Sequence, residues 1–300
     1  MTTATQPQQQ PTYKSSIEAL EASKLNWIAE EHELTTRSLI DVASHKALVR
    51  SDTKGVLSVV SSTYHPIQNN DAFAFFDTIV RERNARYLKA ECFDGGKKIS
   101  IAAVFGEVNI QPKHARGDII RNRVSLINSF DGSCSFKVRL TPLRLVCLNG
   151  MVASAGEMEV TTGIRHTKNA GNKYEQALQV FNSSQDAFKH FVETSKVLAQ
   201  KMLDRDKVIN LIRETFRIPN ETKNDDIATV TKNKMNEVYT LFQKGKGNEG
   251  KTAWDFINGV NEWVDHHSRR NDEQRREYST FGGGFALKER ALELVTAGLR

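Results

Sequence analysis

Cysteine is scarce in this chain. Cys92, Cys134 and Cys147 are the only three in 300 residues, an odd number with no CxxC spacing and no Cys/His pairing. Neither a disulfide framework nor a zinc motif is indicated, and a reducing cytoplasm is the simple expectation. Long hydrophobic runs are missing too: no stretch of about 18 apolar residues occurs, so no membrane-spanning helix is expected. The first dozen residues are polar and rich in Gln and Pro, without the apolar centre of a secretory signal. Nor does any carboxylate pair, Ser/His/Asp set, metal-ligand cluster or phosphate loop stand at diagnostic spacing. No catalytic residue, metal or cofactor is therefore assigned, and a non-enzymatic role is the expectation. Gly282-Gly283-Gly284 ahead of Leu287-Lys288 lacks both the Walker pattern and a preceding strand, and reads as a hinge between helices.

What is present begins with a 39% hydrophobic content, enough for one sizeable core or two modest ones. The formal charge is +6 and the pI about 9.1, which favours a polyanionic partner if the excess is clustered. It is clustered. Between Gln111 and Leu145 stand Lys113, Arg116, Arg121, Arg123, Lys137, Arg139 and Arg144 against Asp118 and Asp131, seven minus two, or +5.

Residues 1–14 read as a disordered tail, since Gln, Thr and Pro bury too little apolar surface to offset chain entropy. Ser15–Asn26 has helical spacing of Ile17, Leu20 and Leu25. Two β-prone runs, Ala47–Arg50 and Val56–Val60, flank a turn-rich Gly-containing segment and predict a hairpin. Asn69 and Asn70 can cap a helix that carries Phe73, Phe76, Ile79 and Val80 and ends near Arg83. Two further hairpins follow, Arg86–Phe93 with Lys97–Phe105 across Asp94-Gly95-Gly96, and Arg123–Ser129 with Ser135–Leu143 around Asp131-Gly132. The text then turns helical at Tyr174–Leu203, Lys207–Phe216, Asp225–Gln243, Thr252–His267 and Phe285–Gly298. Pro219 and the glycine-rich hinge Gly245–Gly250 break it. The predicted fold is α+β: an antiparallel sheet of hairpins with a packed helix over 15–168, and a helical region over 169–300 packed on it or extending it.

Several separated stretches of this sequence resemble one family. They include Ala47–Val60 with Tyr64-His65-Pro66-Ile67-Gln68-Asn69, Ser129-Phe130-Asp131-Gly132-Ser133, Arg139–Gly150, Ile164-Arg165-His166-Thr167, Thr252–Asn258, Glu262–His266 and Leu287–Leu292. In order and together they resemble the phage/plasmid-like domain-of-unknown-function family over roughly Ala43–Leu299. The resemblance implies a mobile-element context and a fold, not a reaction. Where that family often carries Asn-Thr, this chain has Asn149-Gly150.

On the strand before Pro142, alternation puts Lys137 and Arg139 on one face and Val138 and Leu140 on the other. A basic stripe beside a core face results, suited to phosphates or simply to solvation. Arg165-His166-Thr167-Lys168, between sheet and helix, could hold an anion or form a capping turn; His166 as a general base would need a partner. Cys147, among apolar neighbours, reads as a buried small hydrophobe. Asp265-His266-His267 reads as a surface cap, Arg269–Arg276 as a charged surface turn, and the Trp254, Phe256, Ile257, Val260, Trp263, Val264 set as a packed face or subunit contact.

The favoured function is binding of nucleic acid, single-stranded DNA above all, in recombination or replication. Arg121, Arg123, Lys137, Arg139, Arg144, Arg165, His166 and Lys168 would track the strand, and exposed aromatics such as Phe136 or Tyr87 would stack bases. The alternative is an oligomeric interaction protein that engages a host factor through its C-terminal helices.

Overall fold

The computed structural model describes residues 12–82, 85–88, 90–111, 118–151, 162–164, 166, 174–219, 222–223 and 226–297. Its centre is a mixed-length antiparallel sheet. β7 (Lys98–Asn109) and β8 (Ile119–Ser129) form its long hairpin, and β9 (Phe136–Leu140) returns across the Asp131-Gly132 turn to pair with β8. Short strands extend it: β1 (Thr12–Tyr13) pairs with β5 (Arg86–Leu88), β5 and β6 (Glu91–Phe93) with β7, and β10 (Leu143–Arg144) bridges β8 to β11 (Asn149–Gly150). β12 (Thr162–Ile164) closes on β9. A second sheet of three strands, β2 (Ala29–Thr35), β3 (Asp41–Arg50) and β4 (Val56–Ser61), contains the predicted hairpin and one strand more. β2 is a polar run, Ala-Glu-Glu-His-Glu-Leu-Thr, with no alternation strong enough to mark it.

Strict alternation in β7, β8 and β9 gives the large sheet two chemically different faces. Ile99, Ile101, Ala103, Val124, Leu126, Val138 and Leu140 point one way and are buried. On that side lies α2 (Asn69–Glu82), whose Phe73 and Phe76 meet Tyr87 at ring-centroid distances of 5.9 Å. Burying side chains of this size contributes roughly 1.5–3 kcal/mol each. The other face carries Ser100, Ala102, Arg123, Ser125, Lys137 and Arg139, too polar and too small to be core.

The helices of the second half are α3 (Tyr174–Leu198), α4 (Arg205–Thr215), α5 (Thr229–Lys244), α6 (Ala253–Glu262), α7 (Asp272–Thr280) and α8 (Gly283–Thr296). A π-helical turn, Trp263–His267, continues α6, and Thr252 and Asp255 form a capping box at its start. The face from Trp254 to Val264 is spent inside the chain: Trp254, Phe256, Ile257, Val260, Trp263 and Val264 are all buried in one cluster with the sheet core. Arg269–Arg276 is not a plain surface turn, since Asn271 caps α7 through the Gln274 amide and the helix starts at Asp272. Nor do the two glycine segments act as hinges. Gly284 brings α8 against Tyr278 and Val264, where an added Cβ would lie 2.7–2.8 Å from both. The turn at 245–248 is pinned from the sheet.

The pin is Arg144. Its guanidinium is 1% exposed and donates to both carboxylate oxygens of Asp118 at 2.7–3.0 Å, to the Lys246 and Gly247 carbonyls, and to Asn248 Oδ1. Trp254 Nε1 donates to the same Asp118 at 2.8 Å. Burial alone would depress the Arg144 pKa, but Asp118 outweighs it and holds the value above the ordinary one. Among the described residues no helix is long and apolar enough to cross a membrane.

Arg144→Met should strand the Asp118 carboxylate and cost about 3–5 kcal/mol in a urea titration, whereas Arg121→Met, which breaks an exposed pair with Glu107, should cost under about 1 kcal/mol. Equal losses would show that Arg144 is not the tie between sheet and helices.

Candidate functional site

The polar face of the large sheet is roofed by α7 and α8. Between floor and roof lies a cavity of about 720 Å³. Its floor comes from β7, β8 and β9, where Ser100, Ala102, Ser125 and Thr141 fill less space than the Ile, Val and Leu residues of the opposite face. A volume remains open there because the floor is made of small side chains.

Five cationic side chains line it, Arg123, Arg139, Arg275, Arg276 and Lys288, with the carboxylates of Glu91, Asp265 and Asp272. The acids are all occupied. Arg276 Nε pairs with Glu91 at 2.8 Å, Arg275 pairs with Asp272, and Lys288 Nζ donates to Asp265 Oδ1 at 2.5 Å. Lys288 also donates to the Gly150 carbonyl at 2.6 Å and to Ser279 Oγ at 3.1 Å, so its three protons are used. Burial pulls its pKa below the ordinary lysine value while Asp265 opposes the shift. Asp265 further accepts the Gly150 amide at 2.9 Å. Lys288 and Asp265 thus fasten the roof to the end of the sheet.

Arg123 is different. Its Nε donates to the Thr141 carbonyl at 2.9 Å and hydroxyl at 3.2 Å, and its two terminal nitrogens face the cavity with no acceptor among the described residues. Burial lowers its pKa, offset by the charges of Asp265 and Glu91. Gly150 makes the room: a Cβ there would sit 2.5 Å from Arg123 Nη2. The glycine of the Asn149-Gly150 pair therefore admits the guanidinium, which a threonine would displace. Arg139 donates through Nη1 to the Thr280 carbonyl at 2.9 Å, lies 4.1 Å from the Phe285 ring centre, and keeps its Nε buried without an acceptor. Burial depresses this arginine as well, against the pull of Glu289. In Glu91, burial pushes the carboxyl up and Arg276 pulls it down.

Of the cations singled out from the sequence, Arg121, Arg123, Lys137 and Arg139 do share one sheet face. The register sets Arg139 opposite Ser125 and Lys137 opposite Ile127. Arg121 is half-buried and pairs with Glu107 at 3.0 Å. Arg144, opposite Ile120, belongs to the other face and is a structural ion pair. His166 is buried too, stacked on Tyr64 with centroids 4.8 Å apart and neither ring nitrogen hydrogen-bonded. Buried against Tyr64, with only the Cys134 and His65 backbone acting on its ring among the described residues, it is not presented to an anion. Arg165 and Lys168 lie outside the described residues. The aromatics expected to stack bases are core: Phe136 and Tyr87 have no exposed surface. Asp265 is not part of a surface cap but a strut of the cleft, and His266 Nε2 lies 3.2 Å from the Cys147 carbonyl. Cys147 itself is the buried small hydrophobe expected. Glu91, Asp265 and Lys288 could not be found from local pattern. Ser100, Ala102 and Ser125 were not singled out from the sequence; the signal that could have found them is small residues at alternate positions of otherwise apolar strands.

Together these features define an α+β protein with a basic cleft held between an antiparallel sheet and a helical roof. The chain belongs to the DUF932 family, described as a domain of unknown function, whose family model matches residues 56–281. No curated protein and no solved structure matches it.

Desolvation lowers the His166 pKa from 6.5 to about 4. The unfolded chain takes up this proton first as pH falls, so stability present above about pH 6.5 drains away down to about pH 4, roughly 2 kcal/mol of it by about pH 5. His166→Phe, which keeps the stack and has no proton to gain, should lose correspondingly less between about pH 7.5 and 5 in denaturant titrations. Matching acid losses in the two proteins would contradict the buried neutral state.

Proposed function

We propose that this is a nucleic-acid-binding protein of a phage or other mobile element, and that it holds single-stranded DNA through phosphates in the cleft under α7 and α8. One observation carries the reading: cations from the adjacent strands β8 and β9 share a single sheet face, and Arg123 among them aims into the cavity a guanidinium that hydrogen-bonds to no carboxylate among the described residues. A partially desolvated, unpaired guanidinium is a binding group for phosphate oxygens, which match its planar fork.

The roof favours a strand over a duplex. It is tied to the floor by Lys98–Glu277 at 2.6 Å, Arg276–Glu91 and Arg139–Thr280, and a double helix is too bulky to pass beneath it. With Phe136 and Tyr87 in the core and Phe285 covered by Arg139, binding runs through the backbone rather than through base stacking, so sequence preference is weak. The resemblance of the motifs to phage and plasmid sequences supports a role in recombination or replication in the host cytoplasm.

Labelled oligothymidylate should bind with an affinity that falls as salt rises, with a logarithmic slope of about −0.7 per phosphate engaged. Arg123→Gln and Arg139→Gln should each weaken binding several-fold and flatten the slope, while Lys189→Gln on the exposed side of α3 should do neither. Affinity that ignores salt, or no binding by the native protein, would defeat the proposal.

A further inference from the structure

We infer that the cleft recognises a terminal phosphate, the phosphomonoester of a strand end or of a free nucleotide, with Arg123 and Arg139 as its guanidinium ligands. This rests on the nucleic-acid reading and narrows it.

The enclosure is the first reason. The roof is fastened at the start of β7 by Lys98–Glu277, at the mouth by Arg276–Glu91, on the floor by Arg139–Thr280, and at β11 by Lys288 on the Gly150 carbonyl. A continuous strand would have to pass between these ties, whereas an end needs only one opening. The most exposed tie is Arg276–Glu91, with side chains 51% and 39% exposed, which makes it the mouth. The cavity of about 720 Å³ lies in the range of pockets for small ligands, roughly 300–1,000 Å³, and suits a nucleotide or two at the end of a chain.

The second reason is the arrangement of donors. Thr141 continues the β8–β9 register opposite Arg123, its amide bonded to the Arg123 carbonyl at 2.8 Å, and Arg139 stands two residues before it. The two arginines are diagonal neighbours on one face, about 7–8 Å apart at the backbone and within converging reach of long side chains. Arg123 presents both terminal nitrogens, and Arg139 has the terminal nitrogen that Thr280 does not use. Ser100, on the adjoining strand and the same face, has a hydroxyl without a partner among the described residues. Cys92 and Leu148, also in the lining, compete for none of these donors.

Charge and valence then decide the ligand. A bridging phosphodiester carries one negative charge on two free oxygens. A terminal phosphate carries about −1.5 to −2 at neutral pH on three acceptor oxygens. The latter has one oxygen for each of the two terminal nitrogens of Arg123 and the remaining one of Arg139, and its second charge offsets the second partly desolvated cation, which a diester's single charge does not.

The test uses the full chain and compares a linear oligothymidylate with a phosphate on one end or the other, the same oligomer with hydroxyl ends, a covalently closed circle of similar length, and thymidine monophosphate as competitor. The phosphorylated linear strand should bind roughly tenfold or more tightly than the hydroxyl-ended one or the circle, as expected for a charge-assisted contact. Arg123→Gln should erase that preference. Gly150→Ala supplies a variant that keeps every charge: its Cβ displaces only the flexible end of Arg123, so the melting temperature should hold while the preference for the phosphate drops several-fold. Competition by the monophosphate would assign the site to a free nucleotide, and its failure beside tight binding of the phosphorylated strand would assign it to a strand end; both agree with the inference. Equal binding of circle, hydroxyl-ended and phosphorylated strands, all weakened by Arg123→Gln, would overturn it and leave nucleic-acid binding standing. No binding of any probe would overturn both.

Discussion

The Arg144–Asp118 pair is the contact on which the remaining architecture depends. It joins the start of β8 and β10 to the turn before α6, and Trp254 fastens α6 to the same carboxylate. From there the chain runs through the π turn to Asp265, and Asp265 positions Lys288 and the Gly150 amide. A buried ion pair rarely adds much stability over apolar packing, because desolvation consumes most of the Coulombic gain. Its value here is directional. Arg144 satisfies two carbonyls, an amide oxygen and a carboxylate at once, so only one placement of the helical region leaves none of these groups stranded.

That placement converts an ordinary two-faced sheet into a cleft. Ile99, Ile101, Val124 and Leu126 demand a partner layer and receive α2. Ser100, Ala102, Ser125 and Thr141 demand none, and α7 and α8 rest above them on polar contacts, Arg139–Thr280, Lys98–Glu277 and Lys288–Gly150. The open volume follows from small side chains beneath a roof whose height is set elsewhere. Within it the charges are sorted rather than pooled: Arg275, Arg276 and Lys288 are committed to acids, and Arg123 is held in place by Thr141, with the room left by Gly150, and hydrogen-bonds to no carboxylate among the described residues.

Much of this could be read in the linear text where the signal is local. Alternation in Lys137-Val138-Arg139-Leu140 gives a strand with cations on one side, and Asp131-Gly132 gives its turn. Phe73 and Phe76 give a helix with an apolar face. The polar strand β2 and the short α7 were missed because Glu-Glu-His-Glu carries no period and Arg269–Arg276 carries charge without an apolar stripe. The glycines at 245–250 and 282–284 were misread for a related reason: glycine marks both freedom and close approach, and the neighbour that decides between them lies far away in sequence.

By itself, then, the sequence determined the class of fold and, on the strand before Pro142, that Lys137 and Arg139 share one face, because side-chain direction follows from backbone periodicity. Tertiary structure decided which of those cations remain free. Arg144 meets Asp118 and the turn at 246–248, Arg139 meets Thr280, and Lys288 meets Asp265 and Gly150, partners up to 141 residues apart. Charge neutralisation and desolvation act over a few ångströms of space, a distance that no spacing along the chain encodes.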